Sequence, residues 1–220
     1  MNVELARFNM IEQQIRPWQV LDPGVLSLLA AIKREDFVPQ QHRALAFVDT
    51  QVPLTDDPQG PCMLEPKVEA RLLQELRVQH SDRVLEIGTG SGFMAALLAH
   101  RAQEVTTVES RADLVDRARA NLDAAGLSRV RVVHADAARQ LPSGGPWDVI
   151  LLSGSVAEVP KSLLQQLKPG GRLALVEGQL PIMRARLFTR ATETSWSDVD
   201  LFDTVAPRLA GFGEPSRFHF

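Results

Sequence analysis

From residue 83 onward the chain changes character. Short runs rich in β-branched residues alternate with helical segments: "RVLEI" then 93–102, "EVTTVE" then 111–125, "RVRVVHA" then a loop, "DVILLS" then 160–167, and finally "RLALVEG". Strands alternating with helices require crossover connections, and crossovers build parallel sheets. Ser110 is the expected N-cap of the 111–125 helix and Gly126 its stop. The later stretches "MRARLFTRAT" and "TSWSDVDLFDTV" alternate polar and apolar residues, as an antiparallel pair would. Upstream, Leu5, Phe8, Ile11 and Ile15 recur at helical spacing until Arg16-Pro17 ends the segment. Asp22-Pro23 reads as N-cap and first-turn proline of the next helix, and Val68, Leu72, Leu73 and Leu76 mark another. The expected fold class is α/β: a mostly parallel twisted sheet, an antiparallel C-terminal hairpin and an N-terminal helical cap.

A length of 220 residues suits one domain with an N-terminal elaboration. Its expected parts are a cap and loop over 1–66 and an α/β core over 67–220. With 24 basic against 27 acidic residues, the net charge of −3 argues against broad nucleic-acid or anionic-membrane binding. One cysteine precludes an intramolecular disulfide and fits a reducing compartment. The N-terminus lacks an apolar signal-peptide core, and no run approaches the roughly eighteen apolar residues of a membrane span, so a cytoplasmic location is expected. The five histidines show no metal-ligand spacing, and no metal site is expected. Oligomeric state is left open.

The chemistry gathers at "VLEIGTGSGF", residues 84–93. A strand runs into Gly88-x-Gly90-x-Gly92 and then a helix, where glycines let the backbone turn tightly and approach a ligand near a helix N-terminus. The dinucleotide pattern G-x-G-x-x-G would need a third glycine at position 93, which is Phe. The spacing G-x-G-x-G, with Glu86 two residues before it, resembles motif I of class I S-adenosyl-L-methionine-dependent methyltransferases, whose fold is Rossmann-like. Later strand ends add to the resemblance. Glu109 closes the second strand, where a carboxylate can accept from both ribose hydroxyls, and Asp136 closes the third, where it can accept from the adenine amino group.

Longer matches narrow the branch. "MIEQQIRP", "IKREDFVP", "VLEIGTGSGF", "DVILLSGSVAEVPKSLLQQLKPGGRL" and "FDTVAPRL" resemble the protein-L-isoaspartate (D-aspartate) O-methyltransferases over nearly the whole chain. The resemblance implies methylation of isoaspartyl carboxylates in damaged proteins or peptides, as a repair step, with S-adenosyl-L-methionine as cofactor. It carries over Glu86, Gly88, Gly90, Gly92, Glu109, Ser110, Asp136, Ala137 and Ser153 as cofactor-site positions.

One stretch departs from the family: "TDDPQGPCMLEP", residues 55–66. The family shows a loop like G-[HQ]-G-Q-T-I-S-x-P there. Counting back from Val84 without a gap, its threonine, isoleucine and serine fall on Cys62, Met63 and Leu64, the catalytic-loop candidates. Two alternatives therefore stand beside isoaspartate methylation: the same scaffold with a different acceptor, and a cofactor-binding homologue without catalysis. Cys62 has no basic neighbour in sequence to lower its pKa, so a packing role is expected, and Asp56-Asp57-Pro58 reads as a solvent-facing turn.

Overall fold

The computed structural model describes residues 2–213; the C-terminal "RFHF" lies outside them. Three α-helices open the chain: α1 (Val3–Met10), α2 (Pro23–Ala31) and α3 (Pro66–Leu76). Between α2 and α3 two short strands, β1 (Val52–Pro53) and β2 (Cys62–Met63), pair antiparallel. The core follows as β3 (Arg83–Ile87), α4 (Phe93–Ala99), β4 (Glu104–Glu109), α5 (Ala112–Ala124), β5 (Arg131–His134), β6 (Trp147–Val156), α6 (Lys161–Gln165), β7 (Leu167–Gln179), β8 (Ile182–Arg190) and β9 (Trp196–Thr204).

The seven-stranded sheet has the order β5-β4-β3-β6-β7-β8-β9. Pairing is parallel from β5 through β7 and antiparallel for β7–β8 and β8–β9, as the alternation of elements predicted. From β3 the chain steps outward to β4 and β5, then returns to the other side of β3 as β6. That reversal opens a crevice beyond the carboxyl ends of β3 and β6, where ligands bind in open α/β sheets.

Side-chain alternation divides the core by face. Val84, Val105, Val149, Leu151 and Val176 pack with α1 to α5, whereas Leu85, Ile87, Ile150, Leu152 and Leu175 pack with α6 and Trp147. Because Glu86 alternates with Leu85, it falls on the α3 side.

Local rules explain the start of α2. The Asp22 side chain accepts the Val25 amide hydrogen at 2.8 Å, with Pro23 at the first helical position. Two expectations need correction. Ser110 does not cap α5: the boundary residue is Arg111, without a side-chain cap bond, and the Ser110 amide and hydroxyl both turn to Glu109. On α1 the helical spacing holds, but Leu5 and Phe8 are exposed, and the buried residues there are Arg7 and Met10. Residues Ile11–Ile15 then form a π-helix, and Ile11 and Ile15 go into the core.

Candidate functional site

The three loop glycines all take positive φ, +93° at Gly88, +53° at Gly90 and +87° at Gly92, which strand-to-helix reversal demands here and L side chains resist. Their neighbours differ. A Cβ on Gly88 would sit 2.8 Å from Leu209 Cδ2, and one on Gly90 3.0 Å from Leu54 Cδ1. Gly92 faces Leu122 and the Ala118 carbonyl instead, so it seats α4 against α5.

Above this loop lies a cavity of about 430 Å³, within the range of small-molecule sites. Glu109, Ser110, Ala137 and Ser153 line it together with Gly88 and Gly90; Pro207 and Leu209 form part of the opposite wall. The Glu109 carboxylate is held by three backbone amides: Gly90 donates at 3.0 Å, Ser110 at 2.9 Å and Arg111 at 3.1 Å. This fixes its orientation in the cavity wall before any ligand arrives.

The three strand-end carboxylates do not all face this space. Asp136 lies two residues past β5, where its carboxylate accepts the Ala138 amide at 3.0 Å and pairs with Arg139 at 3.2 Å. Its neighbours Ala135 and Ala137 line the cavity there. Glu86 is fully buried beneath the floor and lines a second, small cavity of about 30 Å³ with Met63, Leu64, Glu69 and Phe93. Leu54, Cys62, Gly88, Gly90 and Ser153 border both spaces. Burial pushes the Glu86 carboxyl up to about 8, against hydrogen bonds from Ser153 and Thr107 that favour its ionised form. Burial likewise raises Glu69 to about 7 despite Arg34 beside it.

The departing stretch forms one wall. Leu54 donates its amide to the Pro61 carbonyl at 2.9 Å, closing a hairpin whose tip carries Asp56 and Asp57 in the open. The Asp57 carboxylate accepts the Gln59 amide at 2.9 Å, the turn chemistry expected of it, and Asp57 also stands at the mouth of the large cavity. Arg117 on α5 holds the Leu54 carbonyl. Cys62 donates to Gln51 Oε1 at 3.3 Å, and burial together with Glu65 pushes its thiol up to about 11. Leu64 is buried in the wall of the small cavity.

Sequence reasoning missed Arg34, Glu69, Thr89 and Thr107, all buried polar residues around this floor. The signal was a polar residue placed where an apolar one would pack, as in the "TT" of β4. Among the described residues, no group of three His, Cys, Asp or Glu is arranged to hold a metal ion, and no helix is long and apolar enough to cross a membrane.

Residues 6–195 match the sequence model of the protein-L-isoaspartate(D-aspartate) O-methyltransferases. Protein-L-isoaspartate O-methyltransferase 1 of Rhodopseudomonas palustris strain HaA2 is 39% identical over 193 residues, spanning 88% of this chain and 77% of that protein. The relative named protein-L-isoaspartate O-methyltransferase 2 in Marinobacter nauticus is 34% identical over 94% of both chains. A solved protein-L-isoaspartate O-methyltransferase superposes with a TM-score of 0.81 at 24% identity, over 93% of this chain and 66% of that one. A putative one from Plasmodium falciparum, in complex with S-adenosyl-L-homocysteine, gives 0.76 at 18% identity, over 95% and 98%. The fold is thus the Rossmann-like methyltransferase fold, and the chain belongs to the protein-L-isoaspartate (D-aspartate) O-methyltransferase family, whose cofactor is S-adenosyl-L-methionine.

Proposed function

We propose that this chain transfers a methyl group from S-adenosyl-L-methionine to the carboxylate of isoaspartyl residues in proteins or peptides, as a step of protein repair. The observation that carries this reading is the meeting of two spaces at Cys62, Gly88 and Ser153: a cavity of about 430 Å³ beside an oriented carboxylate, and a small one of about 30 Å³ behind the hairpin wall.

The large cavity fits the cofactor. Gly88 and Gly90 line it at points where a Cβ would press on Leu209 or Leu54 of its walls, and Glu109 stands where strand-end carboxylates accept ribose hydroxyls. Gly88, Gly90, Glu109, Ser110, Ala137 and Ser153 would hold it directly. Glu86 would act from beneath, Gly92 through the seating of α4, and Asp136 after its carboxylate turned from Arg139. When bound, the cofactor supplies a methyl group activated on a sulfonium. An acceptor carboxylate has a pKa near 4 and is ionised at neutral pH, so the chain needs no general base. Its task is orientation, which can supply roughly 7–11 kcal/mol of the barrier, together with exclusion of water. Leu54, Pro207, Leu209 and Phe212 provide apolar wall for that.

Leu64 favours a second reading, the same transfer to a different acceptor, because it lines the small cavity where the family resemblance places a hydroxyl. We read residues 1–220 as one methyltransferase domain, since α1, α2 and α3 share a core with β3 and β6. We assign its action to the cytoplasm, on polypeptide rather than nucleic-acid substrates, on the strength of the −3 charge and the single cysteine.

Calorimetry with S-adenosyl-L-homocysteine, followed by labelled methyl transfer to an isoaspartyl peptide and its aspartyl counterpart, tests the reading. Base-labile label on the isoaspartyl peptide alone is expected. Intact S-adenosyl-L-homocysteine binding without transfer would overturn isoaspartate as acceptor.

A further inference from the structure

Glu86 and Thr107 are Cα partners across β3 and β4, so their side chains stand together on the α3 face. Both oxygens of the Glu86 carboxylate accept hydroxyl hydrogens. Thr107 donates to Oε2 at 2.7 Å, and Ser153 from β6 donates to Oε1 at 2.7 Å. Thr107 has one hydroxyl proton, and that proton is used on Glu86. Thr89 of the glycine loop, with its Oγ1 2.6 Å from Thr107 Oγ1, must therefore be the donor of that contact. The bonds run one way, from Thr89 to Thr107 to Glu86, with Ser153 meeting them from the far side.

This polarity is complete only while Glu86 is ionised. A proton on Oε2 turns that oxygen into a donor, so Thr107 must rotate its own proton toward Thr89. The Thr89 hydroxyl then loses its acceptor in a site where it is 4% exposed. A proton on Oε1 turns Ser153 away instead, and Ser153 lines the large cavity. Protonation of the floor thus reaches the cavity wall by either path.

We infer that Thr107, which lines neither cavity, is a positioning residue for donor binding: its hydroxyl favours the ionised form of Glu86, holds that carboxylate in place, and passes its charge state to the glycine loop through Thr89. The inference rests on the large cavity being the S-adenosyl-L-methionine site. The charged groups facing Glu86 are Glu69 from α3 and Glu109 at the end of β4, both of like charge; Arg34 sits against Glu69. Against these and against burial, the Thr107 and Ser153 hydroxyls favour the ionised form, so losing one moves protonation to higher pH.

The test is the affinity for S-adenosyl-L-homocysteine from pH 6.5 to 9.5, by calorimetry, with thermal melts as a check on folding. Wild-type affinity should rise with pH as Glu86 ionises. Thr107→Val should bind at least fivefold more weakly at pH 7.5, recover toward wild type at pH 9.5, and show its midpoint displaced upward. Thr107→Ser should restore wild-type affinity and midpoint. A folded Thr107→Val protein that matches wild type at every pH, or that loses affinity equally at every pH, overturns the inference. Should Thr107→Val not fold, Thr89→Val keeps the bond to Glu86 and cuts only the loop link. It should weaken binding without moving the midpoint, and unchanged affinity overturns the inference equally. Wild-type protein that binds nothing at millimolar ligand overturns the donor-site reading and this inference with it.

Discussion

Arg34 Nε lies 3.3 Å from the Glu69 carboxylate, and both side chains are almost wholly removed from solvent. The same guanidinium donates to the Leu64 carbonyl at 2.8 Å and rests 5.4 Å from the centroid of the Phe93 ring. One cation therefore ties the N-terminal cap, α3, the hairpin wall at Leu64 and the first residue of α4. Removing one member of a buried pair leaves the other uncompensated, at a cost of about 3–5 kcal/mol. Arg34→Ala should show a loss of that size in urea denaturation, whereas the double variant Arg34→Met with Glu69→Leu should recover most of it. A loss below about 1 kcal/mol for Arg34→Ala would remove the pair from the account of this wall.

Glu69 and Glu86 also set a pH dependence of folding. Burial raises both, to about 7 and about 8, from an ordinary glutamate value near 4.5. A carboxyl that binds its proton more tightly folded than unfolded stabilises the fold below the unfolded value and loses that contribution as pH rises through the folded one. Stability should thus fall between about pH 5 and pH 8, with a slope approaching about 1.4 kcal/mol per pH unit for each group. Chemical denaturation across that window measures it. Glu86→Gln should flatten the slope; an unchanged slope would place the titration elsewhere.

The parts of this protein legible in its sequence are those set by local chemistry. The strand–glycine–helix turn needs only Gly88, Gly90 and Gly92 in positive-φ positions, and the alternation of β3 to β7 with α4 to α6 follows from periodicity. Glu109, Ser110, Ala137 and Ser153 could be placed because strand ends converge at the crevice. The floor was not legible, because Arg34 meets Glu69 across 35 residues and Thr107 meets Glu86 across 21. Nothing in either local segment announces the partner. Asp136 lies two residues past β5, close to the strand end expected of it, but its carboxylate pairs with Arg139, three residues on, and its neighbours Ala135 and Ala137 are the ones that line the cavity. Just past α1 the π-turn at Ile11–Ile15 departs from the 3.6 residues per turn that the spacing of Leu5, Phe8, Ile11 and Ile15 assumes.

Cys62 borders both cavities and should nonetheless be inert. With its thiol pushed up to about 11, roughly one molecule in a thousand carries the thiolate at pH 8. Iodoacetamide should alkylate it about two hundredfold more slowly than a free cysteine of pKa 8.5. Cys62→Ala should keep S-adenosyl-L-homocysteine affinity within about threefold by calorimetry. Rapid alkylation at pH 8 would mean that the hairpin wall opens or that the Glu65 carboxylate does not face the thiol.

Leu64 is the residue at which the choice of acceptor can be tested. Its side chain is 3% exposed and shares the small cavity with Met63, Phe93 and Met94 as well as Glu69, Glu86 and Ser153, so an apolar group stands beside polar ones. Replacing it by serine removes buried aliphatic volume, which costs about 2–5 kcal/mol of stability. It also adds a hydroxyl that can donate to an acceptor carboxylate, and one such bond to a charged group contributes at least about 1.5 kcal/mol. Leu64→Ser should therefore melt at a lower temperature yet raise kcat/KM on an isoaspartyl peptide about tenfold. Steady-state methyl transfer below the melting range separates the two effects. If the variant folds and binds S-adenosyl-L-homocysteine as wild type does but gains nothing on the peptide, Leu64 does not face the acceptor. If it gains on the isoaspartyl peptide and not on the aspartyl one, the hydroxyl acts at the point where the two carboxylates differ in reach. The wall from Cys62 to Leu64 is then where this chain sets its acceptor.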